Sequence, residues 1–209
     1  ALHDSNAYVT LAGQGMEIVD ISSGKRIALI QPPTGSESID DVAVSDRLLF
    51  VLDAQIPGHL SVFRLQNPNS PLLVSSPTAV DVGPFSGVSA GSGHVIVSGG
   101  TSRLSLRRYS PEGLLGQEVA SIDFGRGQPD VLVAPDGRRA FVSTHYNGPY
   151  FGMTTALILS PPLTITQKGS IDLDTIGFTA GGSKPANFPI ETALMEKVFY
   201  KFRALIPAC

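Results

Sequence analysis

Side chains that could do chemistry are few in this chain and widely spaced. Four histidines, His3, His59, His94 and His145, stand far apart, and no HxxxH, HxH or CxxC spacing occurs. A metal site drawn from one segment needs such spacing, so neither a metal nor another cofactor is expected, although ligands from distant segments can converge. Asp40-Asp41 and Asp172-x-Asp174 resemble pieces of calcium loops but lack the remaining ligands. Both read as turn or cap acids. Serine, histidine and aspartate are all present, but there is no G-x-S-x-G nucleophile turn, which argues against a serine hydrolase. Gly99-Gly100 and Gly181-Gly182-Ser183-Lys184 lack phosphate-loop spacing and read as turns. The single thiol, Cys209, cannot form an internal disulfide. It reads as an exposed terminal residue, with an intermolecular disulfide or a lipid attachment as alternatives.

The segment Thr144 to Met153 is different in kind. It holds His145, Tyr146, Asn147, Tyr150 and Phe151, two of the five tyrosines among them. Aromatic rings on a loop give contact area at small entropic cost, which suits a binding surface. These five residues, with His59 of the Ala54–His59 loop, are the candidate partner-binding set. In the competing reading Tyr150 and Phe151 fold back to cap the core.

Something must position these loops, and the composition says what. The chain has 209 residues, 22 Gly, 16 Pro and only 16% charged residues, the profile of short strands joined by turns. Net charge is -3 with no Lys/Arg-rich run, so nucleic acid is not an expected partner. The longest apolar runs are a few residues, too short to span a membrane. The chain opens at Ala1 without Met or a charged-then-apolar leader, which reads as a processed terminus or a piece of a longer chain.

The strands repeat. Pro129 to Ala134 is an apolar stretch ending in Asp136-Gly137, a tight-turn signal. Arg139–Thr144 returns, then Thr155–Ser160 and Thr164–Ile171 follow. The same order runs through 41–46, 48–53, 60–65 and 71–74, and again through 86–90, 94–98, 104–109 and 118–122. The chain opens partway into a copy, at 7–11, 16–21 and 26–30. Val9, Val51, Val97 and Val142 hold equivalent places about 45 residues apart, the period of a four-stranded propeller blade. A generic β-sandwich has turns every 8–12 residues but no reason to repeat at this longer period.

Tyr8-Val9-Thr10 with Met16 to Ile21, and Pro129 to Gly137 with Ala140 to Ser143, resemble the YVTN and LVIVD families of propeller repeats. The resemblance runs blade by blade over most of residues 7 to 192. It implies a propeller, and an exported binding or scaffold module as in many such proteins. Those families also resemble lactonase-type propellers, but no catalytic motif is matched, so no site residue is carried over.

The expected architecture is therefore an all-β propeller of about four four-stranded blades, or part of a larger ring. Residues 1–192 would form the repeats and 193–209 an extension or the start of a further blade. The first copy lacks an innermost strand by this reading, and 184–192 is the candidate to supply it by pairing with Tyr8-Val9-Thr10. Lys197–Phe202 would compete for the place of Ala7–Val9, which favours a larger ring. Alternatively Leu194, Val198, Phe202 and Leu205 form one face of a terminal helix. The functional expectation is a non-enzymatic module that contacts a protein partner or assembly through one loop face, outside the cytoplasm. An incomplete ring would favour self-association. The alternative is a lactonase-like hydrolase working in the central channel.

Overall fold

The computed structural model describes residues 1–172, leaving out 12, 34, 36–38, 54–56, 75, 82–85, 100–102, 124–127, 135–136, 146–151 and 161–163. For 128–130, 143–145, 152–160 and 164–172 it describes the backbone alone. Every regular element among the described residues is a strand. Blade 1 is β1 (Leu2–His3), β2 (Asn6–Leu11), β3 (Gly15–Asp20) and β4 (Arg26–Ile30). Blade 2 is β5 (Ile39–Ser45), β6 (Leu48–Asp53), β7 (Gly58–Arg64) and β8 (Leu72–Leu73), with β9 (Thr78–Val80) also on β7. Blade 3 is β10 (Gly87–Gly91), β11 (His94–Ser98), β12 (Arg103–Tyr109) and β13 (Leu115–Asp123). Blade 4 is β14 (Gln128–Val133), β15 (Arg139–His145), β16 (Gly152–Ser160) and β17 (Thr164–Asp172). Each blade is antiparallel in chain order, so the fold is a β-propeller of about four blades, as the repeat predicts.

Two details depart from the sequence reading. The inner edge of β2 is taken by the chain's own start. Leu2 pairs with Ala7 and His3 with Asn6, while Ala1 and Tyr8 exchange backbone bonds of 2.9 and 2.8 Å. A two-residue strand has no periodicity to detect, and its turn depends on Asp4 adopting a left-handed φ of 52°. Segment 184–192, expected to pair there, lies outside the described residues, as do Lys197–Phe202 and the alternative terminal helix. The outer strand of blade 2, expected over 71–74, is split into β8 and β9. Each piece begins one residue after a proline, Pro71 or Pro77, which has no N–H for the ladder.

The core lies between blades. Tyr8, Met16 and Ile18 of blade 1 meet Leu49, Val51 and Phe63 of blade 2. Phe50, Leu52 and Val62 from the other face of blade 2 meet Val88, Val95 and Val97 of blade 3. Ile96, Leu104 and Leu106 then meet Val131, Ala140 and Val142 of blade 4. This explains the unbroken run Leu48-Leu49-Phe50-Val51-Leu52. A strand with both faces covered reads as continuous apolar sequence rather than alternation. Hydrogen bonds from side chain to backbone stitch the blades together. Asp41 Oδ2 accepts from Val88 N at 2.8 Å, and Ser89 Oγ accepts from Val133 N at 2.8 Å.

Candidate functional site

In every blade the turn joining the first two strands lies at one end of the ring, and the connection joining the second and third lies at the other. The ladder therefore places both expected imidazoles at the same end. His59 stands near the start of β7, paired with Asp53 at the end of β6. His145 ends β15, paired with Gln128 and Gly152. Tyr146, Asn147, Tyr150 and Phe151 lie outside the described residues. The other two histidines stand at the opposite end. His3 pairs with Asn6 at the Asp4 turn, and His94 follows the Ser92-Gly93 turn. Burial, with the Arg108 charge next in size, lowers the His94 pKa. Among the described residues no three His, Cys, Asp or Glu side chains come together in a way that could hold a metal.

His59 is held by an acid. Asp53 is buried, and its Oδ1 accepts the His59 backbone N–H at 2.9 Å. The same oxygen lies 3.6 Å from His59 Nδ1, an ion-pair distance when the ring is protonated. Asp40 adjoins this pair across the inner strands. Burial pushes the Asp40 carboxyl up from the ordinary carboxylate range; the Ser86 backbone N–H opposes that shift, and the Asp53 charge adds to it. Asp40 Oδ2 and His59 Nδ1 are both shielded from solvent and have no hydrogen-bond partner among the described residues. Ser86, whose backbone N–H reaches Asp40, is buried, as is Ser98 on β11. The Ser98 hydroxyl accepts from Gly87 N at 3.1 Å and donates to Gly87 O at 3.2 Å. Asp53 and His59 pair on the face of blade 2 that carries Val51, and the Asp40 carboxyl meets both the Asp53 charge and the Ser86 backbone.

Sequence reasoning placed His59 on this face but read Asp40 and Asp41 as turn or cap acids. They lie within β5, where the pairing with β6 shifts register between Ile39 and Asp41 and leaves Asp40 as the extra residue. Asp41 reaches Val88 in blade 3, and Asp40 meets the Asp53–His59 pair. Nothing local in the sequence marks a partner 47 residues away.

The 144–153 segment is partly strand. Pairing continues out to His145↔Gly152, so the added residues lengthen the hairpin. The span between flanking pairs is 146–151 here, against 54–58 in blade 2 and 99–103 in blade 3.

The inner strands border a central cavity of about 470 Å³ lined by Asp41, Ser45, Val88, Ala90 and Leu132 among others. Asp41 is the carboxylate among the described lining residues. Both its oxygens already accept amides, Oδ1 from Val42 N and Oδ2 from Val88 N, each at 2.8 Å.

No protein-family model and no curated protein matches the chain, so the likeness to YVTN and LVIVD repeats remains a resemblance. Solved structures do match. A functionally unknown protein from Desulfotomaculum acetoxidans is 17% identical at a TM-score of 0.62, over 80% of this chain and 52% of that one. Kuenenia stuttgartiensis hydrazine synthase is 15% identical at a TM-score of 0.60, over 80% and 46%. A candidate 6-phosphogluconolactonase from Bacteroides uniformis is 17% identical at a TM-score of 0.59, over 91% and 59%. The chain thus spans about half the length of these structures, and at such identities the likeness shows one thing, the propeller fold.

Proposed function

We propose that this chain is a non-enzymatic propeller module that binds a protein partner through the face carrying the β6–β7, β11–β12 and β15–β16 connections. The observation that carries this reading is that two buried polar atoms on that face, Asp40 Oδ2 and His59 Nδ1, have no hydrogen-bond partner among the described residues. Burying such groups without partners costs stability, and a fold built on backbone ladders has no need of either. Their place beneath loops on a rigid scaffold is where recognition usually resides. A carboxylate oxygen accepts hydrogen bonds, so the partner chemistry it suits is a donor-rich segment, such as one bearing a lysine, an arginine or free amides. His145, Tyr146, Asn147, Tyr150 and Phe151 extend the same face by their place in the repeat. The alternative, a hydrolase working in the central channel, is less well supplied, because the Asp41 carboxylate on its wall already bridges two blades.

The test is photo-crosslinking in a lysate of the native source. A benzophenone amino acid replaces His59 in one variant and Glu112, an exposed residue of the opposite end, in another. A discrete adduct from position 59 and none from position 112 is expected. Equal labelling from both, or metal-dependent lactone opening by the purified protein, overturns the reading.

A further inference from the structure

In blades 1, 2 and 3 the connection between the third and fourth strands stands at the end of the ring opposite His59, and each shows a large aliphatic side chain to solvent. Ile21 follows β3 in blade 1, Leu72 opens β8 in blade 2 and Leu114 precedes β13 in blade 3. They are 52%, 65% and 57% exposed. The fold fixes where these connections sit. Ile21 N donates to Ser5 O at 2.8 Å, and Arg64 Nη2 of blade 2 donates to the Glu112 carbonyl of blade 3 at 2.8 Å. Successive blades cover one another through their faces, so these turns stand outside the contact between blades.

Basic side chains collect at the same end, two from each blade. Blade 1 contributes Lys25 and Arg26, and blade 2 Arg47 and Arg64. Blade 3 contributes Arg107 and Arg108, and blade 4 Arg138 and Arg139. Arg26 is bridged to Glu17 at 3.0 Å. Among the described residues, Asp4, Asp20, Asp46 and Glu112 share that end. Asp20 accepts from the Ser22 and Ser23 hydroxyls, and Asp46 from Tyr109 and Gly93. The other end has the reverse balance, with Asp40, Asp41, Asp53, Asp81 and Asp123 beside Arg103. A net charge of -3 is thus divided into a basic end and an acidic one.

We propose that the basic end rests on an anionic lipid surface. Ile21, Leu72 and Leu114 enter the boundary between headgroups and acyl chains, and the basic side chains meet the headgroup charges. Both parts of the surface point to that occupant. Lysine and arginine near anionic lipids strengthen binding, and exposed aliphatic side chains gain by leaving water. A nucleic acid would use the basic groups and leave the aliphatic ones wet. A bilayer surface takes both, and lying on it needs no spanning segment. The partner-binding face proposed above is at the opposite end and stays accessible.

Co-sedimentation of the full 209-residue chain with vesicles tests this, using phosphatidylcholine alone and equal parts of phosphatidylcholine and phosphatidylserine. Binding to the phosphatidylserine vesicles only is expected, and it should weaken as salt is added. Arg47→Gln combined with Arg108→Gln should weaken it about thirtyfold, at about fivefold for each charge near such a surface. Leu72→Ser and Leu114→Ser should each weaken it with circular dichroism unchanged. The chain has no tryptophan, so Leu114→Trp adds a single reporter whose emission should shift to the blue on binding. No binding to either vesicle at low salt overturns the proposal, as does binding indifferent to the arginine changes. Binding lost with the arginines yet indifferent to both serine changes, with no shift in the reporter, marks a general polyanion site and overturns the lipid assignment.

Discussion

The phenol of Tyr109, at the end of β12 in blade 3, donates to Asp46 Oδ2 of blade 2 at 2.7 Å. Asp46 sits in the β5–β6 turn at a left-handed φ of 51°, and the same carboxylate oxygen accepts from Gly93 N at 3.2 Å in the β10–β11 turn. One acid therefore shapes its own turn, steadies the next blade's turn and anchors a strand end. The Tyr109 ring also packs on Phe50, with centroids 4.8 Å apart. Tyr109→Phe keeps the packing and removes the donor. It should cost about 1.5–3 kcal/mol in denaturant unfolding, the range for a hydrogen bond to a charged group.

The same phenol gives a prediction at high pH. Burial first, with smaller contributions from the bonds and charge around it, pushes the Tyr109 hydroxyl from 10.0 up to about 12. The folded state keeps its proton where the unfolded chain has lost it, so stability falls as pH rises through that window. Thermal melts between pH 9 and pH 12 should show a loss that is shallower in Tyr109→Phe. Equal slopes in the two proteins would contradict it.

Asp40 has the opposite sign from most surface acids. Its carboxyl titrates above the 3.8 of an ordinary aspartate, chiefly through burial, so the folded state binds a proton more readily than the unfolded chain. Its contribution is therefore unfavourable above the folded pKa and vanishes below 3.8. Asp40→Asn should raise the melting temperature at pH 7 by about 1–3 °C, scaled for a group that is still partly solvated. The gain should disappear near pH 3. A neutral-pH loss would mean that the bond from the Ser86 N–H outweighs the cost of burial.

Much of the fold was legible in the sequence because blade contacts repeat. Val51, Val97 and Val142 were equivalent by spacing, and all three are buried against the preceding blade. Asp136-Gly137 announced a turn, and Gly137 has a φ of 65° with its N–H on Ala134 O at 2.8 Å. The site was less legible. Asp40, Asp53 and His59 meet through strand register, and Asp41 and Ser89 find partners in the next blade, more than 40 residues on. Composition carries no trace of such long-range pairs. His59 was placed from its loop, while the acid holding it, Asp53, looked like any strand-ending residue.

Gly91 probes how closely blades 3 and 4 approach. A Cβ built there would lie 2.8 Å from Val133 Cγ1 and 2.9 Å from the Ala134 carbonyl oxygen. The backbone neighbour cannot rotate away, so Gly91→Ala must push the blades apart. The expected loss is about 1–3 kcal/mol, the usual cost of overpacking. Gly93→Ala, where the space is open but φ is +80°, isolates the backbone cost alone. Comparable losses at both positions would mean that close approach adds nothing.

The aromatic hairpin of blade 4 separates a binding surface from a cap on the core. The ladder runs out to His145↔Gly152, so the backbone bounding 146–151 is held by paired strands on both sides. Tyr146 and Tyr150 are not needed to turn the chain, since blade 3 makes the equivalent connection across 99–103 without an aromatic residue. Rings that serve recognition can be removed without disturbing the fold. Tyr146→Ala and Tyr150→Ala should then leave the melting temperature nearly unchanged and weaken the adduct formed from a crosslinker at position 59. Rings that cap the core would behave otherwise, each change costing about 3–5 kcal/mol, as buried aromatics do. His59→Ala supplies the internal comparison, because the Asp53 carboxylate keeps the backbone N–H at position 59 when the imidazole is gone. A shared loss of capture in all three variants, with melts unchanged, places the loops of blades 2 and 4 in one surface. Destabilisation by the tyrosine changes with capture intact assigns the hairpin to the core.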